Sequence, residues 1–170
     1  EMCIRDRNII LIGMPGAGKS SVGVILAKVL GYEFIDTDLV IQHREKRLLR
    51  EIIADEGNEG FLAIENEVNA TLEANKSVIA PGGSAIYGKE AMEHFKEIGT
   101  IVYLKLSYED LAKRLGNLKG RGVVLKEGQT LKDLYDERSK LYEQYAEITV
   151  DESGRDIKGT ILALREQIGM

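Results

Sequence analysis

The stretch from Asn8 to Gly23, NIILIGMPGAGKSSVG, constrains the fold more than any other part of the chain. An apolar run, Ile9–Ile12, leads directly into glycines that alternate with small residues and into a single lysine, Lys19. The stretch fits G-x-x-x-x-G-K-[ST], the pattern of a strand followed by a glycine-rich loop and a helix. Glycines let successive backbone N–H groups turn towards phosphate oxygens, and the positive end of the helix points at the same place. The sequence therefore predicts a phosphate-binding loop.

This loop indicates a nucleoside triphosphate, and we expect ATP. Lys19 is expected to place its charge at the β- and γ-phosphates, and the Ser20 hydroxyl to ligate Mg²⁺. The alternative is a glycine-rich turn without function, which the complete motif between a strand and a helix disfavours. The predicted ATP-binding residues of the loop are Gly16, Ala17, Gly18, Lys19, Ser20 and Ser21.

Short apolar runs alternate with longer helical segments along the rest of the chain. The runs at 9–12, 33–35, 77–80, 101–106 and 148–150 predict strands. Helical periodicity covers 19–30, 39–43, 48–54, 58–72, 89–98, 108–115, 130–145 and 157–168. Five strands separated by helices imply a parallel sheet with right-handed crossovers. The predicted fold is a three-layer α/β/α P-loop fold with a central five-stranded parallel sheet.

Composition narrows the class of protein. The chain has 170 residues, of which 44% are hydrophobic and 30% charged, so it suits one globular domain. Its net charge of −5 argues against a nucleic-acid partner, and no window reaches the ~20 apolar residues of a membrane span. A single cysteine, Cys3, excludes an intrachain disulfide. We expect a monomeric cytoplasmic protein that acts on a small molecule.

The first seven residues, EMCIRDR, show no apolar period and precede a clean strand start at Asn8. The letters MCIRDR also match a common sequencing adapter translated in one frame. We interpret residues 1–7 as a non-native sequencing or cloning scar and residues 8–170 as a single domain.

Asp36 and Asp38 follow the second predicted strand in the motif FIDTD. Ligands in open α/β sheets bind at the carboxyl ends of the strands, so both carboxylates are expected beside the phosphate loop. One can hold Mg²⁺, and the other can accept the proton of an attacking hydroxyl. The alternative is that both aspartates simply cap the next helix.

A second glycine cluster, Pro81–Ala85, ends the third predicted strand and allows close approach of the backbone to a small ligand. An ordinary strand-end turn is the alternative. Further along, residues 116–129 are rich in glycine and mixed charge, which predicts a mobile lid. Arg121 in this lid could neutralise charge on a transferring phosphoryl group, or be a solvated surface arginine.

Arg138 and Tyr142 lie four residues apart on one face of the predicted helix 130–145. The planar guanidinium of arginine suits a carboxylate or a phosphate, since its fork donates two parallel hydrogen bonds. An ion pair of Arg138 with Asp136 or Glu143 is the alternative.

From Asn8 onward the chain resembles the shikimate kinase family over nearly its whole length. The resemblance rests on GMPGAGKSS, FIDTD, GGSA, the lid arginine Arg121 and ERSKLY. It implies an ATP- and Mg²⁺-dependent kinase that transfers the γ-phosphoryl group to a hydroxyl, with shikimate as first candidate acceptor. The product would be shikimate 3-phosphate, in the biosynthesis of chorismate and aromatic amino acids.

The resemblance also implies roles for single residues. It makes Lys19, Asp38 and Arg121 the catalytic residues and places Ser20 and Asp36 at the metal. The acceptor site, within a helical substrate-binding region at about 38–75, would include Asp38, Leu62, Gly82, Gly83 and Arg138. Besides the phosphate loop, the ATP site would include Arg114, Arg121 and Arg155.

Three positions depart from the family pattern. Leu62 stands where the family carries a second carboxylate-binding arginine, Ser84 replaces its third glycine, and Gly122 replaces the proline after the lid arginine. A leucine cannot bind a carboxylate, although Arg47 or Arg50 could compensate. The alternatives are therefore a related kinase for another polyol or hydroxy acid, or a non-catalytic nucleotide-binding module. Leu62 is expected to point into the cleft or at solvent.

Overall fold

A computed structural model of the chain describes residues 7–116 and 127–169. Residues 1–6, from the predicted scar, and 117–126, with Arg121 and most of the predicted lid, lie outside the described residues. Within the described residues the strands form one parallel sheet in the order β2-β3-β1-β4-β5. They are β1 Asn8–Ile12, β2 Glu33–Asp36, β3 Ser77–Ala80, β4 Gly99–Lys105 and β5 Ile148–Asp151. The predicted five-stranded parallel sheet is confirmed.

Helices connect successive strands. They are α1 Lys19–Leu30, α2 Thr37–Glu45, α3 Leu49–Ala70, α4 Lys89–Ile98, α5 Tyr108–Gly116, α6 Leu131–Tyr145 and α7 Ile157–Ile168, with a short 3₁₀ helix at Gly83–Tyr87. The two helices predicted at 48–54 and from 58 are the two halves of α3, which meet at Gly57 with φ 73° and ψ 177°. The left-handed φ suits glycine there, so the prediction of a helix break is confirmed. The 3₁₀ helix was not predicted.

Two apolar layers cover the faces of the sheet. On one face Ile10 and Ile12 pack with Met92 and Phe95 of α4 and with residues of α6. On the other face Ile9 and Leu11 pack with residues of α1 and α7, including Leu26 and Leu164. Each fully buried side chain of this size contributes about 1.5–3 kcal/mol of hydrophobic stabilisation. The alternation of side chains along β1 therefore produces the predicted three-layer arrangement.

A third apolar cluster joins α2 to α3. It consists of Ile41, Ile52, Phe61 and Val68, with Leu62 and other half-buried residues packed against it. The cluster fixes α2 and α3 as a wall beside the carboxyl ends of the strands. Among residues 7–116 and 127–169, no helix combines the length and apolar character needed to cross a membrane.

Candidate active site

A cleft of about 580 Å³ lies at the carboxyl ends of β1, β2 and β3. These three strands are neighbours in the sheet, so the segments that follow them meet at one edge. The phosphate loop forms one part of the cleft, the segment 36–38 and the glycine cluster form its floor, and α3 and α6 form its walls. This is the place where open α/β sheets bind ligands. Of the predicted site residues, it collects Gly16, Gly18, Lys19, Ser20, Ser21, Asp36, Asp38, Leu62, Gly82, Gly83 and Arg138.

The phosphate loop joins β1 to α1 as the motif predicts. Gly18 occupies the N-cap position of α1 with φ 78°, a left-handed conformation that favours glycine. The Nζ of Lys19 donates to the carbonyl oxygens of Gly13 at 2.8 Å and Met14 at 2.9 Å. Lys19 is only 9% exposed, and burial lowers its pKa to about 8, against the opposing charge of Asp38. The lysine is thus held inside the loop, at the edge of the cleft.

The side chains that follow in α1 differ in their access to the cleft. Ser20 and Ser21 are exposed and line it. Ala17 is fully buried, is not part of the lining, and its N–H donates to the Met14 carbonyl over 3.0 Å. Ala17 therefore shapes the loop, and its predicted contact with ATP stays a prediction.

Asp36 and Asp38 play different structural parts. Asp36 Oδ1 accepts the N–H of Asp38 over 2.9 Å, so Asp36 caps α2 as the capping alternative proposes. Among the described residues no hydrogen bond to the Asp38 carboxylate is found, and this carboxylate faces Gly82 in the cleft. Burial raises the pKa of Asp38 to about 6, and the charge of Asp36 adds to this against that of Lys19. Capping thus occupies Oδ1 of Asp36, whereas the Asp38 carboxylate does not cap the helix and stays available to a ligand.

The glycine cluster lies where a side chain would collide with its neighbours. A Cβ added at Gly82 would lie 3.0 Å from Asp38 Oδ1 and 3.1 Å from Glu65 Oε2. A Cβ at Gly83 would lie 2.9 Å from Arg138 Nη1. Both glycines line the cleft, so the cluster is more than a strand-end turn. It lets carboxylates and a guanidinium approach the backbone closely.

Arg138 is buried in α6, with 4% of its surface exposed. Its guanidinium carbon lies 5.6 Å from the centre of the Tyr87 ring, and its Nε has no hydrogen-bond partner among the described residues. The alternative of an ion pair with Asp136 or Glu143 is wrong, since Asp136 pairs with Lys132 at 2.9 Å and Glu143 with Lys105 at 3.6 Å. The guanidinium is therefore presented to the cleft.

Tyr142, one turn after Arg138, is fully buried. Its hydroxyl donates to the Gly83 carbonyl over 2.7 Å. Tyr142 thus holds the glycine cluster in place through this hydrogen bond. Arg138, on the same face of the helix, places its positive charge beside the cluster.

The α3 wall contains a residue that sequence reasoning missed. Leu62 is half-buried and faces the cleft as expected, although it also packs against the cluster that joins α2 to α3. Glu65, three residues on and on the same face, is only 2% exposed and accepts from Ser84 Oγ over 2.7 Å. Burial raises the pKa of Glu65 to about 7; the charge of Asp38 adds to this, while Ser84 and Arg138 oppose it.

A second missed carboxylate, Glu152, follows β5 beside the phosphate loop. It is 5% exposed, and burial raises its pKa to about 7 against the charges of Arg114 and Lys19. The predicted ATP residues near it are exposed: Arg114 Nη1 donates to the Gly16 carbonyl over 2.9 Å, and Arg155 is not part of the cleft lining. Arg114 is thus in contact with the loop, whereas the role of Arg155 stays a prediction.

The side chains at this site could hold Mg²⁺ only if nucleotide phosphates provided most of its ligands. Within the described ranges no group of three or more His, Cys, Asp or Glu residues could hold a metal. Ser20 and Asp36 line the same cleft, which provides one hydroxyl and one carboxylate. Nucleotide-bound Mg²⁺ typically takes one or two protein ligands and keeps its phosphate and water ligands, so the two residues are sufficient.

Comparison with known proteins gives one consistent result. The model of the shikimate kinase family matches residues 15–168. The curated protein "Shikimate kinase 2" of Yersinia enterocolitica is 34% identical over 154 residues, covering 85% of this chain and 86% of that protein. "Shikimate kinase" of Chlorobium phaeovibrioides is 35% identical over 171 residues, covering 94% of this chain and 86% of its own length.

Solved structures agree with the sequence relatives. The shikimate kinase of Acinetobacter baumannii, in complex with shikimate, superposes with a TM-score of 0.84 at 32% identity. The match covers 95% of this chain and 92% of that one. The shikimate kinase of Aquifex aeolicus gives a TM-score of 0.77 at 29% identity, over 95% and 96% of the two chains.

Proposed function

We propose that shikimate is the acceptor of this chain, which belongs to the shikimate kinase family and is an ATP-dependent kinase. The observation that carries the proposal is the buried guanidinium of Arg138, presented to a cleft that also holds Asp38 and the phosphate loop. A carboxylate bound at Arg138 would bring the ring hydroxyls of such an acceptor towards Asp38. The reaction would transfer the γ-phosphoryl group of ATP and yield shikimate 3-phosphate.

The donor end is assigned to the phosphate loop. Backbone N–H groups around Gly16 and Gly18, the N-terminus of α1 and Lys19 would bind the β- and γ-phosphates. Ser20 and Asp36 would hold Mg²⁺, which supplies positive charge that offsets the charge on the phosphoryl oxygens. Exchange of the Lys19 ammonium from loop carbonyls to phosphate oxygens would keep its hydrogen bonds satisfied.

The acceptor end is assigned to Asp38. At neutral pH a carboxyl with a pKa of about 6 is mostly ionised and can accept a proton. The acceptor hydroxyl would transfer its proton to Asp38 while its oxygen bonds to the γ-phosphorus, and the bond from that phosphorus to the leaving oxygen of ADP would break. A positioned base of this kind contributes about 10²–10⁴-fold to the rate.

The missing arginine at position 62 requires a second cation from elsewhere. Arg47 is engaged, since it bonds Glu45 and Asp55 at 2.9 and 3.1 Å. Arg50 lines the cleft, and no hydrogen bond or ion pair of its side chain is found among the described residues. We assign the role to Arg50. An exposed guanidinium of this kind stabilises by about 1 kcal/mol, less than the ~1.5–3 kcal/mol of a buried charged hydrogen bond, so shikimate should bind more weakly than with an arginine at 62.

Leu62 also favours a second candidate, a kinase whose acceptor lacks a carboxylate. The two candidates are distinguished by coupled ADP release with Mg·ATP, titrating shikimate against a panel of polyols and hydroxy acids. Saturation with shikimate supports the proposal. Turnover of a carboxylate-free acceptor without turnover of shikimate would replace it with the second candidate, and ATP binding without any acceptor-dependent ADP release would support the non-catalytic module.

The monomeric state and the cytoplasmic location stay predictions from the sequence. Light scattering coupled to size exclusion tests the first, and cell fractionation of the source organism tests the second.

A further inference from the structure

Ser84, one of the departures from the family pattern, makes a specific contact inside the cleft. It lies in the 3₁₀ helix Gly83–Tyr87, and its Oγ donates to Glu65 Oε1 over 2.7 Å. Glu65 belongs to α3, so the bond joins two separate walls of the cleft. A glycine at position 84 has no side chain and could not make it.

This bond leaves the other oxygen of Glu65 for the cleft. Oε2 is buried and has no hydrogen-bond partner among the described residues. It lies 3.1 Å from the point where a Cβ at Gly82 would sit, and Asp38 Oδ1 lies 3.0 Å from the same point. An unpartnered buried acceptor costs free energy, which a ligand donor can recover. Glu65 Oε2 and Asp38 Oδ1 therefore lie close to each other beside Gly82. The side chain at position 62 is a leucine and offers neither of them a hydrogen-bond donor.

We propose that Ser84 is a positioning residue of the acceptor site: it fixes Glu65 so that Oε2, beside Asp38, accepts a hydrogen bond from a hydroxyl group of the acceptor. The inference deepens the proposed function and rests on it. It identifies the acceptor class as one that presents at least two hydroxyl groups to this corner, one to Asp38 and one to Glu65. A compound with a single hydroxyl would leave Oε2 unpaired and bind more weakly.

The groups around Glu65 give the inference a pH signature. It faces the negative charge of Asp38 from α2, the positive charge of Arg138 from α6 and the hydroxyl of Ser84. Burial and Asp38 raise the pKa of Glu65, whereas Ser84 and Arg138 lower it. A donor that bonds the ionised form lowers a carboxyl pKa, so removal of the Ser84 hydroxyl should raise it further.

The test is a double-mutant cycle of Ser84→Ala and Glu65→Gln, measured as coupled ADP release with shikimate and with the best acceptor of the panel. Ser84→Ala should raise KM for the acceptor roughly 3- to 10-fold, the worth of one net hydrogen bond, with kcat and KM for ATP changed by less than about twofold. The acidic limb of kcat/KM for the acceptor should move to higher pH. In the Glu65→Gln background the same change should have no further effect on KM, since the cleft-facing acceptor atom is already gone.

The matched control is Ser77→Ala. Ser77 Oγ also makes one bond to the protein, to the Asn75 carbonyl at 3.0 Å, but at the opposite end of the sheet. The Ser77→Ala variant should have the same KM for the acceptor as the wild-type protein. Thermal melting checks that every variant is folded. Equal effects of Ser84→Ala in both backgrounds, or an unchanged acceptor KM and pH profile, would overturn the inference while the proposed function stands. A wild-type chain that turns over no acceptor would overturn both.

Discussion

Replacement of Glu65 by glutamine should stabilise the protein at alkaline pH. Glutamine has the same shape, and its carbonyl oxygen can still accept from Ser84, so the change removes a buried charge and replaces the unpartnered Oε2 by an NH₂ donor beside Asp38. Burial raises the pKa of Glu65 from 4.5 to about 7, which means that the folded state disfavours the ionised form. The free energy of unfolding is therefore lower at pH values at which the Glu65 carboxyl ionises.

The sign and size of this change in stability follow from the linkage between proton binding and folding. A raised carboxyl pKa contributes stability that is fully present below the unfolded pKa of 4.5 and is lost as the pH rises through about 7. A shift from 4.5 to about 7 corresponds to about 3 kcal/mol, at 1.36 kcal/mol per pKa unit. Glu65→Gln should thus raise the free energy of unfolding by about 3 kcal/mol at about pH 8, or Tm by roughly 6–12 °C, and by much less near pH 5.

Urea unfolding of both proteins at a series of pH values between about 5 and 8, without ligands, measures this difference. The matched control is Glu67→Gln, on the same helix, where the side chain is 68% exposed and pairs with Arg44 at 3.2 Å. That control should change stability by less than about 1 kcal/mol, as exposed ion pairs do. A Glu65→Gln difference that stays constant across the pH range, or a variant less stable than wild type at about pH 8, would refute the reasoning.

Three further predictions concern activity in the coupled ADP assay. Asp38→Asn should lower kcat by about 10²-fold or more and remove an acidic limb near pH 6 from the rate profile; near-normal turnover would remove its role as base. Gly83→Ala places a Cβ 2.8 Å from Pro15 Cδ in the phosphate loop and 2.9 Å from Arg138 Nη1, so it should raise KM for a carboxylate acceptor about tenfold and raise KM for ATP as well; an unchanged KM for the acceptor would contradict the role of Gly83 in the site. Arg50→Ala should raise KM for shikimate roughly fivefold and leave that for a neutral polyol unchanged, whereas Arg44→Ala should alter neither; equal effects on both acceptors would exclude Arg50 as a carboxylate ligand.

The fold could be predicted from the sequence because its local signals agree with its tertiary contacts. The phosphate-loop motif fixes a strand, a loop and a helix at once. Thr130 and Ser107 are residue types that cap helices, and their hydroxyls accept from the N–H groups of Asp133 and Asp110, at 3.1 and 3.2 Å, at the starts of α6 and α5. Such caps depend on residues three positions apart, so a single sequence contains them.

The missed parts of the site depend on tertiary burial. Glu65 lies on a face of α3 that also carries Asn66 and Asn69, and such a polar stripe is usually solvated. Its burial arises from Gly82 and Ser84, 17 or more residues away in the chain. The one local signal for Glu65 in the sequence is that it follows Leu62 by three residues, which places both on the same face of the helix. For Glu152 the signal was its place at the carboxyl end of β5, the rule that had identified Asp36 and Asp38 after β2.

Two departures that the sequence presents far apart meet at one carboxylate in the structure. Position 62 lies one helical turn before Glu65, where an arginine would be near enough to pair with it, and the leucine there leaves Arg138 as the cation that lowers the Glu65 pKa. Ser84, at the position of a family glycine, gives the same carboxylate a neutral donor at 2.7 Å. A hydroxyl compensates less than a guanidinium, because the hydroxyl group itself carries no positive charge. The acceptor corner therefore keeps its shape with less positive charge, so recognition there depends more on hydroxyl groups and less on a carboxylate.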